Sequence, residues 1–117
     1  MIILYTSPGC RCCNKARKFL DDNALPYIEK SIFSRKLKRD EIAYLFKRSS
    51  NGTDDIISRR SHLVKDSDLK IDDMHLSELI SYIMNNRSLL KRPILINKNY
   101  RSIGYDPDEL SVYKRPK

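Results

Sequence analysis

Residues 2–20 read Ile2-Ile3-Leu4-Tyr5-Thr6-Ser7-Pro8-Gly9-Cys10-Arg11-Cys12-Cys13-Asn14-Lys15-Ala16-Arg17-Lys18-Phe19-Leu20. The apolar run Ile2 to Tyr5 ends in the turn cluster Ser7-Pro8-Gly9, which predicts a buried strand feeding a loop. From Arg11 to about Asn23, the residues Cys12, Ala16, Phe19 and Leu20 recur at helical spacing with basic residues between them, which predicts a first helix. Cys10 and Cys13 therefore stand where a strand passes into a helix. Cys12 shares the stripe of Ala16, Phe19 and Leu20 and is read as a core residue.

A cysteine at a helix N-terminus faces unpaired amides and the positive end of the macrodipole, both of which favour thiolate over thiol. Cys10 is the better-placed nucleophile. Positions i and i+3 share one side of a helical turn, so Cys13 can resolve a sulfenic acid or mixed disulfide on Cys10 into an internal bond. Such a site can exchange disulfides, attack oxyanions or sense oxidants, and the spacing alone leaves all three open. Zinc would need further ligands; His62 and His75 stand in no ligand-like cluster, so no metal is expected.

Working outward, Pro26 to Lys30 reads as a second strand, and Asp40 to Arg48, with Ile42, Leu45 and Phe46 on one stripe, as a second helix. Ser49-Ser50-Asn51-Gly52-Thr53 is a loop in which Gly52 can take positive φ. Helical segments are predicted over 54–64 and 75–86. Pro93 opens the apolar triplet Ile94-Leu95-Ile96, a strand, and Asn97-Lys98-Asn99 is a hairpin turn into a partner strand, Tyr100 to Ile103. Asp106 to Tyr113 is a last helix, capped by Asp106 with Pro107 in its first position. This order predicts an α/β chain of thioredoxin-like fold, a mixed four-stranded sheet flanked by helices. Residues 1–117 form one domain on this reading, with a helical insertion at about 38–88. A proline before the third strand of that fold is commonly cis and lies beside the cysteines, which would bring Arg92 near Cys10, where a guanidinium can hold a thiolate or oxyanion.

At 117 residues, with 40% hydrophobic and 32% charged positions, the composition is that of one soluble domain. No apolar run is long enough to cross a bilayer, and Met1 to Tyr5 lacks the basic region and cleavage site of a signal peptide. Three cysteines within four positions exclude a framework of long-range disulfides and suit a reducing cytosol. Lys and Arg outnumber Asp and Glu by 23 to 15, a formal charge of +8 that favours a polyanionic partner. The basic residues are scattered in pairs such as Lys47-Arg48 and Lys91-Arg92, so they read equally as a solvated surface.

Several stretches together carry a family resemblance: Leu4 to Pro8 with Cys10 and Cys13, Ile32-Phe33-Ser34, Asn51 to Ser58 with Arg60, Leu89-Leu90-Lys91-Arg92-Pro93-Ile94, and Gly104-Tyr105 with Asp108-Glu109. They resemble the Spx subfamily of the arsenate reductase-like family, redox regulators of transcription in Gram-positive bacteria. The resemblance implies a cytoplasmic regulator, not an enzyme, that binds the C-terminal domain of the RNA polymerase α subunit and is switched by a Cys10–Cys13 disulfide. It implies no cofactor, a polymerase contact at Gly52 and Lys47, and support of the thiol site by Arg60, Arg92 and Pro93. Promoter DNA would be touched weakly, within the polymerase complex, and the chain alone would be a monomer without membrane attachment. The subfamily continues past the position of Lys117 with a basic extension, so a sequence ending Tyr113-Lys114-Arg115-Pro116-Lys117 is read as a shorter paralogue or a trimmed form.

The alternative within the same family is an arsenate reductase-like thiol oxidoreductase. Three arginines cradle the oxyanion in those enzymes; Arg60 and Arg92 match two of them, and Tyr105 replaces the third. A tyrosine lacks the charged fork of a guanidinium, and the lost contact is on the order of 2 kcal/mol. Weak thiol–disulfide exchange remains compatible with either reading.

Overall fold

The computed structural model describes residues 1–49, 56–57 and 74–114. Strand β1 (Ile2–Thr6) is buried at Ile2, Leu4, Tyr5 and Thr6, as an apolar run in the interior of a sheet must be. Helix α1 (Arg11–Asp22) crosses over from it to β2 (Tyr27–Ser31), which pairs parallel to β1 from Ile2↔Tyr27 through Thr6↔Ser31. β3 (Ile94–Ile96) lies antiparallel on the other side of β1, with Tyr5↔Ile94 and Ile3↔Ile96, and β4 (Arg101–Ile103) pairs antiparallel with β3. The sheet order is β2-β1-β3-β4, so the mixed four-stranded sheet expected of a thioredoxin-like fold is present.

The chain divides into two compact units, Met1–Ser31 with Arg92–Lys117, and Ile32–Lys91. In the first, the sheet packs on a core of Ile2, Leu4, Ala16, Leu20, Leu95 and Leu110, with the rings of Phe19, Tyr27 and Tyr105 against it. α1 ends where Ala24 takes φ 52°, a left-handed conformation usually given to glycine, and the Leu25 N–H closes the turn on the Leu20 carbonyl at 2.9 Å. The last helix is shorter than its pattern predicts. α4 is confined to Pro107–Leu110, capped by Asp106, and continues as a 3₁₀ turn over Ser111–Lys114. There the Ser111 hydroxyl donates to the Asp108 carbonyl at 2.6 Å, and the buried Tyr113 hydroxyl donates to the Leu95 carbonyl at 3.0 Å.

The second unit, Ile32–Lys91, holds two of the described helices. α2 (Arg39–Lys47) buries Ile42, Leu45 and Phe46, and α3 (Leu76–Asn85) buries Leu79, Ile80 and Ile83. Arg39 ties the two helices by donating to the Ser81 hydroxyl at 2.5 Å and the Ser77 carbonyl at 2.7 Å. Arg87, in a 3₁₀ turn over Arg87–Leu89, donates to the carbonyls of Ile32 and Ser34 and so fastens the entry of the unit. The helix expected over 54–64 lies outside the described residues apart from Ile56 and Ile57; both are buried, and Ile57 bridges Leu90.

Candidate redox site

Gly9, at φ 72°, turns the chain from β1 into α1; a Cβ there would meet no atom within 4 Å, so the backbone conformation and not space calls for glycine. The turn leaves Cys10 as the N-cap of α1, in extended conformation, its sulfur accepting from the Cys13 N–H at 3.1 Å. Sulfur thus takes the place that an oxygen takes in the usual cap. Cys10 and Cys13 are joined as a disulfide with their Cα atoms 5.1 Å apart, within the span such a bond bridges. Cys13 is 1% exposed whereas Cys10 is half-buried. A thiol reductant in solution therefore meets the Cys10 sulfur, and its thiolate forms a mixed disulfide there as the Cys10–Cys13 bond breaks and Cys13 leaves as thiolate.

Cys12 is exposed and free, which corrects its reading as a core residue. The buried stripe of α1 is Cys13, Ala16 and Leu20, and Cys12 is rotated about 100° from Cys13. A run of two adjacent cysteines fits either stripe in the sequence; pairing of Cys13 with Cys10 turns the second of them inward.

The Arg92–Pro93 peptide is cis, as expected of this fold. Because Tyr5 faces Ile94 across the antiparallel β1–β3 ladder, Arg92 and Pro93 precede β3 at the same end of the sheet from which β1 runs into the cysteine turn. Pro93 is buried and its carbonyl accepts from the Gly104 N–H at 2.8 Å, while Arg92 is half-buried.

The sequence matches the ArsC family over residues 5–112. The chain belongs to the ArsC family. Its relatives there include Global transcriptional regulator Spx 1 of Oceanobacillus iheyensis, 40% identical over 110 residues that cover 94% of this chain and 84% of that protein. Global transcriptional regulator Spx of Listeria innocua is 41% identical over the same shares of both chains. Among solved structures, a putative ArsC family related protein from Bacteroides fragilis matches with a TM-score of 0.81 at 23% identity over 96% of each chain, a correspondence of fold. This is an Spx-type member of the ArsC family.

Of the remaining expected site residues of this ArsC-family chain, Lys47 is exposed in the last turn of α2. Gly52 and Arg60 lie outside the described residues, as does His62. Tyr105 packs its ring against the core of the first unit. Among the described residues no group of three or more His, Cys, Asp or Glu side chains is placed to hold a metal.

One element of the site carries no signal in the sequence. The Thr6 hydroxyl, buried at the end of β1 next to the cysteine turn, donates to Glu29 at 2.8 Å, and Arg17 of α1 grips the same carboxylate with two bonds of 2.8 and 2.7 Å. β1, α1 and β2 are thereby pinned together just beyond the disulfide. The Arg17 guanidinium, with help from Thr6 and against partial burial, holds the Glu29 carboxyl below its ordinary value of 4.5. A depressed carboxyl stabilises the fold above the unfolded value and ceases to do so as pH falls through the folded one. Thermal melts from neutral pH to below 4.5 should therefore show a loss that Glu29→Gln flattens. With about a third of each side chain in water, the difference is about 1 kcal/mol or less. Parallel pH profiles for both proteins would remove this role from the pair.

Proposed function

We propose that this protein is a cytoplasmic redox-sensing regulator of transcription. On this reading it binds the C-terminal domain of the RNA polymerase α subunit, and formation of the Cys10–Cys13 disulfide switches its output. Residues 1–117 act as one thioredoxin-like domain with a helical insertion, without a cofactor and without need of turnover. The observation that carries the reading is the Cys10–Cys13 disulfide at the α1 N-cap, in a chain about 40% identical to regulators named Spx. Cys10 meets the oxidant and Cys13 resolves it; Arg92 beside Pro93 responds to the thiol state, and Arg60 supports the thiol site. Gly52 and Lys47 make the polymerase contact, where a missing side chain lets two surfaces approach and an ammonium meets acidic groups. The net charge of +8 adds weak, salt-sensitive contacts to promoter phosphates once polymerase holds the protein in place.

Against the reductase alternative stands Tyr105, whose ring is used in packing where an oxyanion cradle needs a guanidinium. Arsenate turnover with glutathione and glutaredoxin at rates typical of enzymes would reverse the order of the two readings.

Titration with the isolated C-terminal domain of the polymerase α chain decides the polymerase contact. Gly52→Arg is expected to weaken binding by about tenfold or more, since a long side chain must displace a surface that approaches the backbone. Equal affinities for wild type and variant would take Gly52 out of the interface.

A further inference from the structure

The C-terminal half of α1 and the segment leading into α4 enclose an open groove of about 450 Å³ lined by Lys15, Lys18, Phe19, Asp22, Asn23 and Tyr105. Its walls are the rings of Phe19 and Tyr105, both only partly buried against the core beneath them. Its rim carries the ammonium groups of Lys15 and Lys18 and the carboxylate of Asp22. Lys18 reaches Asp22 at 3.3 Å, an exposed pair that contributes little, and Lys15 is exposed with no ion-pair partner among the described residues.

The charges of α1 also run against its macrodipole. The first turn holds no acidic residue and begins with Arg11, the last turn holds no basic residue, and Asp21 and Asp22 stand at the negative end. An arrangement that forgoes helix stabilisation points to use of those charges by something outside the helix. Arg17 is taken up by Glu29 and Lys18 by Asp22, which leaves Lys15 as the ammonium group at the groove without an ion-pair partner among the described residues.

We propose that this groove is a docking site for an acidic segment of a partner protein, which inserts one aromatic side chain between Phe19 and Tyr105 while its carboxylates meet Lys15 and Lys18. An open recess with ring walls suits a single aromatic anchor flanked by extended chain. Charge complementarity selects the partner: Asp22 offsets Lys18, Lys15 is left as the uncompensated charge of the rim, and on a chain of net charge +8 it attracts acidic segments and repels basic ones. The site is separate from the thiol switch along α1. Phe19 is nine residues beyond Cys10, roughly 14 Å along the helix.

The probe is a nine-residue peptide of aspartate and glutamate with one central phenylalanine, added to the full ¹⁵N-labelled chain. Amide shifts should concentrate on residues 15–23 and Tyr105, be the same for oxidised and reduced protein, and weaken as salt is raised. Replacing the peptide's phenylalanine by alanine should weaken binding about tenfold. The double variant Lys15→Glu with Lys18→Glu, both on the surface and outside the core, should do so as well. Tyr105→Ala tests the wall, and the lysine variant keeps the test valid if that change unfolds the chain. Shifts elsewhere, equal binding of the alanine peptide, or undiminished binding by the lysine variant would overturn the proposal. So would equal perturbation of the same residues by a short single-stranded oligonucleotide, which would make the groove a phosphate-binding surface. None of these outcomes depends on polymerase binding, so the two proposals stand or fall separately.

Discussion

Cys13→Ala abolishes the internal disulfide, and the response to diamide falls from nearly complete conversion to none. The expectation follows from accessibility. Cys13 is 1% exposed, so an oxidant reaches the pair through Cys10, and only a thiol already beside Cys10 can resolve the oxidised sulfur within the chain. In the variant, Cys10 is left to form mixed disulfides with thiols from solution or with a second copy. Alanine replaces a small apolar side chain in a closed site, so the fold survives the change. The measurement is peptide mass spectrometry after oxidation and alkylation of free thiols. Wild type should lose two hydrogens across Cys10 and Cys13 and carry the alkyl group on the exposed Cys12. A bond between Cys10 and Cys12, or intermolecular disulfides alone in wild type, would sink the assignment of Cys13 as the resolving thiol.

Leu20→Ala is expected to lower stability by about 2–5 kcal/mol, with the melting temperature falling by ~10 °C or more. Leu20 is fully buried among Ile2, Leu4, Ala16, Leu95 and Leu110. Removing its branched end leaves a cavity between α1 and the sheet, in a contact made by elements far apart in sequence, which closes poorly. The same helix presents Cys10 at its N-cap, so loosening it should also speed alkylation of Cys13 in the reduced protein through local opening. Leu76→Ala is the control, because that side chain is 53% exposed and its loss should move stability by about 0.5 kcal/mol or less. Comparable melting shifts for the two variants would refute the ranking of these sites.

Most of the fold is legible in the sequence where the signals are local. Strand β3 falls on the triplet Ile94-Leu95-Ile96 that Pro93 opens, and Asp106 caps α4 with Pro107 in its first position, as the residue types require. Legibility fails where two local patterns compete or where partners are distant. Cys12 and Cys13 fit adjacent helical stripes equally well, and only the disulfide and the sheet beneath α1 select Cys13 for burial. The Arg17–Glu29–Thr6 cluster joins residues 12 and 23 positions apart, at spacings no periodicity marks. That the ring of Tyr105 packs on a core and lines a groove depends on α1, some eighty residues earlier, which no local pattern around Gly104-Tyr105 marks.

By itself the sequence determined the strand–turn–helix junction and the i, i+3 placement of Cys10 and Cys13, because turn conformation and helical geometry are settled within a few residues. Tertiary structure alone decided which neighbouring cysteine is buried and which carboxylate Arg17 holds. Those outcomes depend on β1 lying between β2 and β3, and strand pairing is a competition among distant segments for the burial of one apolar face.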